Sequence, residues 1–110
     1  MLKNVPKSIL IGGHKIKIVA ATKEDFRKMY GDDDLGDETM AVYEHEHNNI
    51  HMWSELVGTR KAATLLHEII EAINWQNDLS MNHTQISTVA ESLLSVLLFN
   101  DLDFKQVKLE

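Results

Sequence analysis

The chain has 110 residues, 44% of them hydrophobic and 25% charged, with no cysteine and a formal net charge of −6. That size suits one domain, residues 1–110, with one modest core. The acidic balance, with no lysine or arginine cluster, excludes a nucleic-acid binder driven by phosphate contacts. Lack of cysteine excludes disulfides and thiolate metal sites and points to a reducing, cytoplasmic setting. No run is long enough to span a membrane, and the first residues lack the apolar stretch of a signal peptide.

In chain order, residues 8–20 read as a hairpin. Ile9, Leu10 and Ile11 form a short strand, Gly12-Gly13 is a two-residue turn, and Ile16 and Ile18 alternate with Lys15 and Lys17 on the return. Thr22 with Asp25 three residues on is a capping signature for a short helix over 23–29 that Gly31 ends. Residues 32–38 form an acidic loop without the alternate spacing of a calcium loop. A second hairpin is expected over 39–53. A tight turn at Asn48-Asn49 would set Glu46 opposite His51 and put Tyr43, Ile50 and Met52 on one face with His45 and His47. His51 then lies on the other face, so those three histidines read as surface residues rather than one ion's ligands.

The periodicity predicts a helix over about 59–77, with Leu65, Leu66, Ile69, Ile70 and Ile73 on one arc and Asn74, His67, Glu71 and Glu68 on the other. Asn82 and Gln85 open a second helix over about 83–99. The tail, 101–110, alternates weakly and is expected either to add a strand or to remain loose. Trp53 and Trp75 read as packing residues.

The one local pattern that suggests chemistry is His67-Glu68-Ile69-Ile70-Glu71, one residue from the HExxH motif of zinc metallopeptidases. In that motif the outer residues, one turn apart, bind the metal, and the second is the general base toward metal-bound water. A carboxylate at the last position adds negative charge, makes the water less acidic and moves preference toward manganese or magnesium. Antiparallel pairing of the two helices sets His67 opposite Ala90 and Glu91, and Asn74 near His83. Glu91, or His83 if the helices cross differently, then offers a further ligand. The plainer reading is that His67, Glu68 and Glu71 form the polar face of an amphipathic helix.

The block Thr64–Asn74, with the following helix ending Ser92–Asn100 and the Gly-turn hairpin at Ile11–Ile16, resembles a group of small phage and prophage proteins with a minimal zincin-like architecture. The resemblance implies His67 and Glu71 as metal ligands, Glu68 as general base and Glu91 as third ligand, with His83 its rival.

The expected fold is α+β: a small antiparallel sheet of hairpins packed on a two-helix layer, with a short additional helix. Two functions compete. One is a zinc- or manganese-dependent hydrolase, peptidase-like, in the bacterial host cytoplasm. The other is a non-catalytic phage accessory protein that binds a peptide or protein partner.

Overall fold

The computed structural model describes residues 5–31 and 39–100. The acidic loop at 32–38 and the tail at 101–110 lie outside them. The described chain runs β1 (Ser8–Ile11), β2 (His14–Ala21), α1 (Lys23–Tyr30), β3 (Ala41–Glu44), β4 (Asn49–Trp53), α2 (Gly58–Asn77) and α3 (His83–Phe99). It is an α+β fold with a four-stranded sheet ordered β1-β2-β4-β3. No helix among the described residues is long and apolar enough to cross a membrane.

The first hairpin forms where Gly12 and Gly13, at φ 57° and 84°, supply left-handed backbone, so that Ile11 pairs with His14. Gly12 also lies close to α2: a methyl group there would meet Gln76 Oε1 at 3.1 Å. Thr22 and Asp25 make a reciprocal capping box at the start of α1. Asn82 and Gln85 do the same for α3, each bond 2.9 Å.

The sheet is mixed, which corrects the expected antiparallel arrangement. β2 and β4 pair in parallel, Ile18 beside Ile50 and Ala20 beside Met52. After α1 the chain returns on the far edge as β3 and turns back as β4 into the space beside β2, so the two hairpins meet through strands of like direction. Each hairpin carries its own turn signal, but nothing local specifies how two hairpins join.

The second hairpin also departs from the expected register. Glu44 pairs with Asn49 and Val42 with His51, leaving residues 45–48 as the turn. Asn48 takes the left-handed conformation (φ 54°) and its Oδ1 accepts the Tyr43 hydroxyl at 3.1 Å. Glu44 Oε1 lies 2.8 Å from His47 Nδ1. These bonds close a four-residue loop instead of a two-residue one. His45 and His47 therefore sit in the turn, and the expected Glu46–His51 pair is absent. His51 Nε2 is 3.8 Å from Glu44, beyond hydrogen-bond length.

Ile16, Ile50 and Met52, all fully buried, join Ile11, Leu56 and Ala72 in the core between the sheet and α2, with Leu65, Ile69 and Ile73 packed against it. A smaller cluster of Ile70, Ile86 and Ala90 joins α2 to α3, Leu66 and Met81 packing around it. Asn74 Oδ1 accepts the Met81 N–H at 2.9 Å and fixes the short connection. α1 packs on β2, Phe26 fully buried and Lys23 Nζ 4.5 Å above the Trp53 ring. Past Ala90, α3 exposes Leu93, Val96, Leu97, Leu98 and Phe99.

Candidate functional site

The site begins with a backbone alternation. In an antiparallel pair, residues alternate between those bonded to the neighbouring strand and those turned away from it. The Trp53 N–H donates to the Met40 carbonyl at 2.8 Å. Ala41 lies opposite Met52 and Tyr43 opposite Ile50. Met40 and Val42 therefore bond toward β4, and Ala41 and Tyr43 turn their N–H and C=O groups to the outer edge. β3 ends the sheet, so among the described residues no strand meets that edge, and α2 runs beside it.

There the Tyr43 N–H lies close enough to the Glu68 carboxyl to favour its charged form. Glu68 is 7% exposed, the one buried charged residue among those described. The helical wheel puts it on the polar arc, but Glu68 itself is buried rather than in water. Burial pushes its pKa from 4.5 up to about 7; the Glu71 carboxylate adds to the rise and the Tyr43 N–H opposes it.

A cavity of about 270 Å³ opens between this edge and α3, lined by Met40 and Ala41 of the β3 side, Ala63, Thr64, His67 and Glu68 of α2, and Ser87, Ala90 and Glu91 of α3. His67 thus does face Ala90 and Glu91. Burial lowers the pKa of its imidazole; Glu71 opposes that shift, His83 adds to it and Glu91 opposes it. The rings of His67 and His83 lie 5.2 Å apart, tilted by 51°. His83 itself is exposed, with Nε2 3.4 Å from Ser87 Oγ.

These positions correct the metal reading. Among the described residues no group of three or more His, Asp or Glu side chains is placed to hold a metal ion. Glu68 is drawn to the β3 backbone. Glu71 and His83 do not line the cavity, and Glu91 sits exposed on its far wall. A ligand set of His67, Glu71 and Glu91, or with His83, therefore does not converge. Zinc or manganese has no cage here, and Glu68 has no metal-bound water to deprotonate. The metal-dependent hydrolase reading falls with the ligands.

No family model, no curated protein and no solved structure matches this chain. Without a match and without the metal cluster, the resemblance to phage zincin-like proteins is withdrawn, and the phage assignment with it.

Sequence reasoning missed two participants. The outward backbone of Ala41 follows from the β3–β4 register, which the turn signal misjudged. Trp75 stacks on His45 of the turn, ring centroids 3.8 Å apart and 21° from parallel. Neither contact leaves a local mark in the sequence.

Proposed function

We propose that the chain is a peptide-recognition module: an extended segment of a partner protein pairs with the outer edge of β3 and lays one side chain into the cavity between β3 and α3. The observation that carries this reading is the outward N–H and C=O of Ala41 at the mouth of that cavity. Strand addition at a free sheet edge takes its affinity from main-chain bonds and its specificity from pockets for alternate side chains. The cavity, at about 270 Å³, falls just below the ~300 Å³ at which small-ligand pockets begin. That size suits a single side chain. Glu68 acts as a positioning group: buried under β3 beside the Tyr43 N–H, it helps hold the edge strand against α2. A protein partner is favoured over nucleic acid, because between residues 39 and 100 the sequence carries no Lys or Arg besides Arg60 and Lys61. The cysteine-free composition supports a reducing, cytoplasmic setting.

Ala41→Pro tests the reading. Its missing N–H is one that points away from β4, so the substitution spares the sheet ladder, as prolines on edge strands do. Titration with N-acetylated, C-amidated heptapeptides of alternating threonine and valine should shift the amide resonances of residues 41–43. The variant should melt close to wild type and lose binding. Equal binding by the variant, or shifts confined to other surfaces, sinks the proposal.

A further inference from the structure

The groove has a chemistry of its own beyond its strand edge. Glu68 lines the cavity at 7% exposure. Among the described residues, the backbone N–H of Tyr43 favours its charged form and a second carboxylate, Glu71, opposes it. Glu91 stands on the opposite wall. Arg60 and Lys61 start the same helix as Glu68, but they lie about 10 Å away along its axis by the helical rise and do not line the cavity. His67 brings no lasting positive charge, since burial disfavours its protonated form. Thr64 and Ser87 add hydroxyls to the wall. Among the described residues no lysine or arginine lines the cavity with Glu68, and a buried carboxyl without a counter-charge costs stability. Here it faces a cavity sized for one side chain, beside backbone groups turned out to receive a strand.

We infer that the side chain entering the cavity is a lysine or arginine, its cationic head bonding to Glu68 with Glu91 at the rim. The inference rests on the strand-pairing reading and adds the class of segment recognised: an extended stretch with a basic residue whose side chain faces α2. The aliphatic stem would run past Ala41, Ala63 and Ala90, which line the walls, and the head would reach the polar floor, the arrangement that long basic side chains favour. Charge-assisted bonds in a site shielded from water are stronger than neutral ones.

The test uses the same threonine/valine heptapeptide with lysine, arginine, norleucine, glutamine or glutamate at its centre, followed by fluorescence polarisation at pH 7.5. Lysine or arginine should bind about tenfold more tightly than norleucine, the gain of a charge-assisted bond, and glutamate most weakly. Glu68→Gln should bring the affinity ratio of the lysine or arginine peptide over the norleucine peptide down to about one, whatever it does to binding of both, and Glu91→Gln should reduce that ratio; an unchanged ratio in Glu68→Gln overturns the inference. Its melting curve confirms that the Glu68→Gln variant folds. If all five peptides bind alike and Ala41→Pro abolishes binding, the basic-residue inference is overturned and strand pairing stands. If no peptide binds, strand pairing is overturned and methylguanidinium alone decides the cavity. A methylguanidinium shift of the Glu68 and His67 resonances that Glu68→Gln removes supports the cation pocket. No such shift overturns it.

Discussion

The imidazole of His45 lies flat on the indole of Trp75, centroids 3.8 Å apart. This stack ties the turn that follows β3 to α2. Both residues are exposed, so the contact is a surface clasp rather than part of the core. Stacked aromatic pairs contribute about 0.5–1.5 kcal/mol beyond area burial. A double-mutant cycle of His45→Ala and Trp75→Ala should return a coupling near the lower end, about 0.5–1 kcal/mol. Each single variant should also speed amide exchange at Val42 and Glu44, because β3 loses one of its ties to α2, its apolar packing there remaining. Zero coupling with unchanged exchange counts against the clasp.

Glu68 makes stability depend on pH in a definite direction. Its folded pKa of about 7 lies above its free value of 4.5. Below 4.5 the carboxyl is protonated whether the chain is folded or not, and burial costs nothing extra. Between the two values the unfolded chain ionises first, so stability falls as pH rises, and above about 7 the full penalty applies. The pKa difference corresponds to about 3 kcal/mol. Glu68→Gln should therefore melt like wild type at pH 4 and several degrees higher at pH 8. Identical melts at pH 8 would mean the carboxyl is well hydrated.

Much of this was legible in the sequence. The capping boxes at Thr22 and Asn82, the Gly12-Gly13 turn and the spans of α2 and α3 rest on signals within a few residues of one another, and those elements lie within one residue of the expected bounds. The second hairpin's register was not legible. It depends on Tyr43 bonding Asn48 and Glu44 bonding His47, and these bonds outweigh the two-residue turn that Asn48-Asn49 suggests. The parallel β2–β4 pairing, the burial of Glu68 under β3 and the His45–Trp75 stack join residues far apart in the chain. The His67–Glu71 motif was legible as a pattern, but a pattern fixes only the angles around one helix. Where the carboxylates point depended on the strand above Glu68, which the wheel does not contain.

Metal dependence gives the third check. With no three ligands converging among the described residues, excess EDTA and stoichiometric zinc or manganese should both leave the melting curve of untagged protein where it was. A zinc-dependent rise of several degrees that Glu71→Ala removes would show that these side chains do hold a metal ion.

The position of β4 governs how the molecule assembles. It lies between β2, from the N-terminal hairpin, and β3, its own hairpin partner. Neither portion of the chain can finish the sheet by itself: the first lacks a neighbour for β2, and the second leaves one side of β4 bare. Folding must therefore wait for an encounter between distant segments, which slows the productive step. Two separately made fragments divided between α1 and β3 would each display an unsatisfied flank shaped for the other, and mixing them should regenerate the native architecture by complementation.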